Sequence, residues 1–252
     1  MASSESSMSD QDRPSGPLVQ LVAPAKLTLE LRVTGVRDDG MHLIDAEMVA
    51  LELCDYLEVR PASTNSIRLD GASDDVPADS DNLVARALTL AGKTADVAIT
   101  KRIPSQAGLG GGSSDAAAVL RWAGYTDLHS ASMLGADVSF CLVGGRARVS
   151  GIGEIVQPLD YRPMTFTLLT PPVGCPTPVV YRTWDAMGGP VGDNGNDLEP
   201  AALAAVPELA RWRDKLGDAT GLTPMLAGSG STWFVPGSFP GPGRVVTNTV
   251  PA

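Results

Sequence analysis

Apolar and polar residues alternate along the first part of the chain. From residue 26 onward, apolar residues fall on one face of an extended chain and polar residues on the other: Leu27, Leu29, Leu31 and Val33 against Lys26, Thr28, Glu30 and Arg32. A period of two over this length is typical of a half-buried strand, so the pattern predicts a strand over 18–33. The Asp39-Gly40 pair predicts a turn soon after it.

Later apolar runs predict further strands and helices. The strands are predicted at 46–53, 56–59, 97–100, 138–143, 146–150 and 233–235, and one more within the polar stretch 61–81. Helical spacing predicts helices at 82–91, 113–122 and 200–215, and the proline-rich stretch 171–178 predicts a loop. A change in composition near residue 155 predicts three parts: a disordered tail over 1–17, one domain over 18–155 and a second over 156–252.

Charge and cysteine usage exclude several classes of protein. The chain of 252 residues carries a formal net charge of −10, which argues against nucleic-acid binding, since such proteins need a basic surface. Three widely spaced cysteines without a CxxC pair argue against a disulfide framework or a zinc site, and they favour a reducing cytoplasm. The apolar stretches are too short for a transmembrane helix, so we expect no membrane partner.

The segment from Gly108 to Asp115 is the sharpest chemical feature. It has four glycines in five positions between a short strand and a helix, so backbone amides can approach a ligand closely. We expect Ser113 or Ser114 to cap the helix and Asp115 to lie in its first turn. A helix start of this kind favours phosphate, and the serine hydroxyls could reach a phosphate oxygen or Mg²⁺. A flexible surface loop with an ordinary serine cap remains the alternative.

The familiar phosphate-binding motifs do not describe this loop. No lysine follows the glycines as a P-loop requires, and Ser113 stands where the dinucleotide fingerprint has its third glycine. The catalytic triplets of protein kinases and the GxSxG motif of serine hydrolases do not occur either.

Three stretches, in this order, resemble the GHMP kinases, a family named for galactose, homoserine, mevalonate and phosphomevalonate. They are residues 23–29, 103–117 and 226–231. Stretches 39–42, 134–138, 151–154, 176–181 and 196–198 favour a member whose substrate carries cytidine diphosphate. The resemblance extends over essentially the whole chain from residue 18 onward.

The resemblance implies an α+β fold of two domains with ATP and substrate in the cleft between them. The ATP-binding domain over 18–155 would resemble the second domain of ribosomal protein S5, and the domain over 156–252 would be ferredoxin-like. The implied reaction, with Mg²⁺, moves the γ-phosphoryl group of ATP to the 2-hydroxyl of a cytidine diphosphate-linked methylerythritol in non-mevalonate isoprenoid synthesis. The implied partner is this small molecule alone, and the oligomeric state is open.

The resemblance also assigns roles to single residues. Asp137 would be the general base, with Lys26 beside it and the γ-phosphate. The implied contacts to ATP and its phosphates are Asn82, Pro104, Gly108, Leu109, Gly110, Gly111, Gly112, Ser113 and Ser114, with Ser114 also on Mg²⁺. The implied substrate contacts are Thr28, His42 and Tyr181.

Five of these residues also have a plainer interpretation. Lys26 would be a solvated strand charge, Asp137 a turn or helix-end residue, Asn82 a helix cap, His42 a turn residue and Tyr181 a core residue.

Two positions depart from the family pattern: Thr28 replaces an asparagine, and Met41 replaces an aromatic residue before the histidine.

The rival functions are a GHMP kinase with a mevalonate-like or homoserine-like acceptor, an inactive nucleotide- or sugar-binding regulator on the same scaffold, and a plain nucleotide-binding domain.

Overall fold

The computed structural model of the chain describes residues 16–71 and 82–252, which form ten strands and seven helices. Apart from Gly16 and Pro17, the tail predicted over 1–17 lies outside the described residues. The strands are β1 Val19–Val36, β2 His42–Pro61, β3 Ser66–Asp70, β4 Ala95–Thr100, β5 Arg146–Gly151, β6 Ile155–Leu159, β7 Thr165–Leu169, β8 Met225–Leu226, β9 Trp233–Pro236 and β10 Arg244–Asn248. The helices are α1 Leu83–Leu90, α2 Gly111–Trp122, α3 Leu128–Ser132, α4 Val138–Val143, α5 Thr177–Ala186, α6 Glu199–Ala205 and α7 Leu209–Thr220.

The first sheet is built on the long antiparallel hairpin of β1 and β2. The other edge of β2 pairs with β5 along its first half and with β4 along its second half. The sheet continues through β5 to β6 and through β4 to β3, which runs parallel to β4. Register shifts between Pro24 and Lys26 and between Thr28 and Glu30 interrupt the β1–β2 ladder. Such irregularities re-aim side chains, and here they flank Lys26.

The second sheet has the order β10-β7-β9-β8 and is antiparallel where its strands pair. Most buried side chains form one large cluster that includes residues of both sheets and of their helices. A smaller cluster joins Leu27 of β1 and Leu109 of the glycine-rich loop to Phe166 and Phe234 of the second sheet. The loop is therefore anchored in apolar packing on its inner side.

The predicted α+β class is confirmed, and most predicted elements occur within a few residues of their expected bounds. The runs 46–53 and 56–59 belong to one continuous strand, β2. The strand expected in the polar stretch 61–81 is β3, and residues 72–81 of that stretch lie outside the described part of the chain. None of the described helices is long and apolar enough to cross a membrane.

The strand predicted over 138–143 is wrong, because these residues form helix α4. Val138, Ser139, Phe140 and Cys141 are all buried, so no polar face marks the helical period. A short apolar run that is buried on all sides does not distinguish a strand from a helix by its pattern.

The single helix predicted over 200–215 is also wrong, because it is divided into α6 and α7. Pro207 lies between them, and a proline in the interior of a helix would clash with the carbonyl four residues earlier. The domain boundary at 155/156 stays a prediction, and β6, which begins at Ile155, pairs with β5 in the first sheet.

Candidate active site

Two glycines set the shape of the loop before α2. Gly108 and Gly110 have φ values of +75° and +68°, which residues with a Cβ rarely adopt. A Cβ on Gly108 would lie 2.1 Å from the carbonyl oxygen of Ala227, and one on Gly110 would lie 2.7 Å from Cγ of Lys26. The chain therefore passes too close to its neighbours for a larger residue at either position.

Helix α2 opens directly from this loop. It begins at Gly111, with Gly110 at the N-cap and no side-chain cap. The expected cap by Ser113 or Ser114 is therefore wrong, and Asp115 lies beyond the first turn. Because the first amides of a helix have no acceptor within the helix, they are available to an anion in front of it.

The two serines after the glycines differ in their surroundings. Ser114 is fully buried, and its hydroxyl donates a hydrogen bond to the carbonyl oxygen of Pro24 at 2.6 Å. The proton of the Ser114 hydroxyl is therefore engaged inside the protein, and the implied contacts of Ser114 to Mg²⁺ and phosphate stay a prediction. Ser113 lines the pocket in front of α2.

That pocket has a volume of about 330 Å³ and extends from the start of α1 to Asp137 and Thr177. It is lined by most of the residues implied to contact ATP: Asn82, Pro104, Gly108, Gly110, Gly111, Gly112 and Ser113. Leu109 is an exception, because its side chain is buried in the smaller apolar cluster. The helix-cap interpretation of Asn82 is confirmed, since its Oδ1 accepts from the amide of Val84 at 2.8 Å.

Lys26 and Asp137 form an ion pair beside Gly110. Lys26 Nζ lies 3.2 Å from Asp137 Oδ2 and donates to Thr28 Oγ1, also at 3.2 Å. The main-chain amide of Lys26 donates to the carbonyl of Leu109 at 3.0 Å, which ties β1 to the glycine loop. Only 4% of Lys26 is exposed, so it is not the solvated strand charge of the plainer interpretation. Asp137 precedes α4, and its side chain is 27% exposed.

A second glycine loop, residues 228–231, packs against the first. Asn196 holds it, because its Nδ2 donates to the carbonyl oxygens of Leu226 at 2.9 Å and Gly228 at 2.7 Å. The hydroxyls of Thr177 and Ser229 are hydrogen-bonded at 2.8 Å and join the loop to α5. The sequence signal for Asn196 was its place in the Asn-Asp-Leu stretch, but the pattern of residues gave no indication of what it holds.

Lys101, Asp55 and Asp115 form a buried ion cluster between the segment before the glycine loop, β2 and α2, and sequence reasoning missed it. Lys101 donates to Asp55 on β2 and, at 2.6 Å, to Asp115 on α2, and all three side chains are at most 6% exposed. Asp55 Oδ1 also accepts from the amides of Arg102 and Ile103. Nothing in the local sequence pattern predicts that this lysine meets two carboxylates from other elements.

The charges in this cluster are unequally satisfied. Burial raises the pKa of Asp115 to about 7, against the opposing charge of Lys101. Burial lowers the pKa of Lys101, but the two carboxylates outweigh it and leave the pKa raised. Asp115 Oδ1 has no hydrogen-bond partner among the described residues. The cluster thus keeps Lys101 charged while one carboxylate oxygen remains uncompensated.

His42, Tyr181 and Trp184 form an aromatic group at the start of β2 and on α5. The ring centroids of His42 and Tyr181 are 4.5 Å apart at an interplanar angle of 38°, and Trp184 meets the histidine edge-on at 5.6 Å. Burial, followed by the charge of Asp137, raises the pKa of Tyr181. His42 and Tyr181 are therefore brought together where the charge of Asp137 still acts on the tyrosine, and Met41 is exposed.

Comparison with known sequences shows which proteins the chain is related to. A family model described as the GHMP kinases N terminal domain matches residues 82–145. The chain is 36% identical over 247 residues to the 4-diphosphocytidyl-2-C-methyl-D-erythritol kinase of Cereibacter sphaeroides, with 86% of this chain and 88% of that protein covered. It is 38% identical over 232 residues to the kinase of the same name from Paracoccus denitrificans, with 84% of each covered.

Solved structures agree with the sequence comparison. A crystal structure of 4-(cytidine 5'-diphospho)-2C-methyl-D-erythritol kinase superposes with a TM-score of 0.73 at 31% identity, over 92% of this chain and 99% of that chain. Homoserine kinase from Cytophaga hutchinsonii gives a TM-score of 0.57 at 17% identity, over 98% and 97% of the two chains. This second likeness shows the fold alone.

The close approach of Gly110 to Lys26 predicts the effect of a methyl group at that position. Gly110→Ala should weaken ATP binding at least tenfold, about 1.4 kcal/mol, because the added Cβ displaces Lys26 and strains the loop. Gly124→Ala is the matched control, since Gly124 has a similar φ of +72° but no atom within 4 Å of an added Cβ. Calorimetric titration with ATP measures both, and equal affinities of the two variants would contradict the expectation.

The raised pKa of Asp115 predicts a dependence of stability on pH. The folded state holds a proton on this carboxyl up to about pH 7, whereas the unfolded chain releases it near 3.8. Protonation of Asp115 therefore stabilises the fold below 3.8, and this contribution is lost as the pH rises through 7. Asp115→Asn removes the titration, so its free energy of unfolding in urea should fall less between pH 5 and pH 8 than that of the unmodified chain. Parallel pH profiles would contradict this.

Proposed function

The chain belongs to the GHMP kinase family, among the 4-diphosphocytidyl-2-C-methyl-D-erythritol kinases, and on that premise we propose that it transfers the γ-phosphoryl group of ATP to the 2-hydroxyl of 4-diphosphocytidyl-2-C-methyl-D-erythritol. This reaction is a step of non-mevalonate isoprenoid precursor synthesis. The observation that carries the proposal is the Lys26–Asp137 ion pair beside a glycine loop that opens into the N-terminus of α2.

In the proposed reaction Asp137 accepts the proton of the 2-hydroxyl. The oxygen then forms a bond to the γ-phosphorus of ATP, the bond to the β,γ-bridging oxygen breaks, and ADP leaves. The acceptor is a tertiary alcohol, hindered and weakly acidic, so a positioned base and in-line alignment matter. The exposure of part of the Asp137 carboxylate supports its role as the base, since the substrate must reach it.

Lys26 and the start of α2 neutralise negative charge in this scheme. Lys26 is buried and held by Thr28 and Asp137, so its ammonium group does not have to be desolvated during the reaction. Gly111 and Gly112 are the first residues of α2 and line the pocket, so their amides favour the binding of phosphates there. Charge neutralisation and positioning are the main requirements of phosphoryl transfer, and the pocket supplies both.

Mg²⁺ belongs to the proposal as the companion of ATP. In the described part of the chain no three acidic, histidine or cysteine side chains converge on a ready-made metal site. Mg²⁺ does not need such a site, because it is usually held by substrate phosphates, water and one or two protein oxygens. Ser113 would hold it, because its hydroxyl group belongs to a residue that lines the pocket. When bound, the ion would neutralise negative charge on the phosphates.

The substrate end of the site is proposed to lie at the aromatic group. His42 and Tyr181 would contact the cytosine ring, and Thr28 would face the acceptor through its hydroxyl. The proximity of Tyr181 to the charge of Asp137 supports one continuous site for base and reacting hydroxyl. A cytoplasmic location completes the proposal, and it is supported by three buried cysteines that are free.

The role of Asp137 predicts the effect of removing its charge. Asp137→Asn should lower kcat by about 100- to 10,000-fold, because a general base contributes about that factor, while ATP affinity changes little. ADP release from Mg-ATP and the cytidyl substrate measures kcat, and calorimetry measures ATP binding. Asp218→Asn is the matched control, since this side chain is exposed on α7 and makes the same chemical change away from the site.

An Asp137→Asn variant that is folded and as active as Asp218→Asn would contradict the assigned base. Turnover of mevalonate or homoserine, without turnover of the cytidyl substrate, would contradict the proposed acceptor and leave phosphoryl transfer intact. Absence of turnover with all three acceptors would favour a binding protein on the same scaffold.

A further inference from the structure

His42 has a carboxylate partner that none of the motifs included. Its Nε2 lies 2.7 Å from Oδ1 of Asp185, which is near the end of α5. The side chain of His42 is 13% exposed and that of Asp185 is 47% exposed, so the contact is at the edge of the aromatic group. No other hydrogen bond of the imidazole occurs among the described residues, so Nδ1 is unengaged within the part of the chain that the structure describes.

Helix α5 connects this contact to the pocket in front of α2. Thr177 at its first turn lines that pocket, Tyr181 follows one turn later, and Asp185 follows after another turn. Residues four apart lie on the same face of a helix, and eight residues span about 12 Å along the axis. The helix thus presents Thr177, Tyr181 and Asp185 in a row that leads away from the phosphate pocket.

The orientation of the His42 ring is fixed on several sides. Tyr181 covers it at a tilt, and Trp184 meets it edge-on. Trp184 is itself held, because its Nε1 donates to the carbonyl oxygen of Pro190 at 2.9 Å. With the ring held in this way and Nε2 on Asp185, the remaining polar atom of the imidazole has a defined direction.

We propose that Asp185 is a positioning residue that keeps the proton of neutral His42 on Nε2, so that Nδ1 accepts a hydrogen bond from the exocyclic amino group of cytosine and disfavours uracil. An ionised carboxylate only accepts hydrogen bonds, so the ring nitrogen that faces it must donate. A neutral imidazole has one donor and one acceptor, and the other nitrogen is then the acceptor. The inference rests on the proposed function for the identity of the base.

The same geometry explains why the two pyrimidines would be distinguished. Cytosine carries an amino group at the position where uracil carries a carbonyl oxygen. An amino group can donate to Nδ1, whereas a carbonyl oxygen would meet the lone pair of a second acceptor. A site built to hydrogen-bond one group rejects an analogue that leaves its polar atoms unpaired.

The tautomer can be measured directly, because the chain has only two histidines, His42 and His129. Nitrogen-15 NMR of the side chains at pH 8 should show His42 with protonated Nε2 and unprotonated Nδ1, and a His129→Gln variant assigns the signals. In Asp185→Ala the preference for the Nε2–H form should be lost. A proton on Nδ1 in the unmodified chain, or the same tautomer in Asp185→Ala, would overturn the proposal whether or not the chain is a kinase.

Specificity gives the second measurement. The ratio of kcat/KM for the cytidyl substrate to that for its uridyl analogue should fall at least tenfold in Asp185→Ala, through KM for the cytidyl substrate rather than kcat. Asp185→Asn should keep most of the ratio, because its amide oxygen can still accept from Nε2, and Asp218→Ala is the control for losing an exposed carboxylate.

An unchanged ratio in Asp185→Ala would overturn the proposal. If the unmodified chain turns over neither substrate, the proposed function fails. In that case the relative affinities for cytidine and uridine diphosphate, measured by calorimetry for the same variants, decide on Asp185: a preference for cytidine diphosphate that Asp185→Ala loses supports the proposal, and equal affinities in the unmodified chain overturn it.

Discussion

The contact between Gly110 and Lys26 is the constraint on which the rest of the site depends. The lysine side chain passes directly under the glycine loop, where a single added carbon atom would lie 2.7 Å from its Cγ. In that position its ammonium group reaches Asp137 at 3.2 Å, just before α4. Irregular pairing of β1, the glycines of the loop and the start of a short helix therefore meet at one point.

Local charge differs from the charge of the whole molecule. The chain is acidic, with a net charge of −10, yet two lysines with buried side chains, Lys26 and Lys101, lie against Gly110 and Gly111 at the N-terminus of α2. Lys101 forms ion pairs with Asp55 and Asp115, so its positive charge is compensated within the protein. A global negative charge thus coexists with a site that presents helix amides and lysines, because nearby groups act on a ligand more strongly than distant, screened surface charges.

The sequence predicted the parts of the molecule that have local signatures. Alternation predicted β1, helical spacing predicted α1, and the glycines between 108 and 112 predicted the loop that opens into α2. It failed for residues 138–143, because a run buried on all sides carries no period, and for the serine caps, because Gly110 in the left-handed conformation starts α2 one turn earlier. The Lys101 cluster and the Asp185 contact join residues 46 and 143 positions apart, and no local pattern encodes such pairs.

Phosphorus-31 NMR of the reaction product tests the central claim most directly. Carbon 2 of the methylerythritol unit bears no hydrogen, so a phosphate on its hydroxyl has no three-bond coupling to a proton. Incubation with Mg-ATP and the cytidyl substrate should therefore give a new monoester signal that remains a singlet without proton decoupling. A doublet or triplet, which would place the phosphate on another hydroxyl, or the absence of a new monoester signal, would contradict the account.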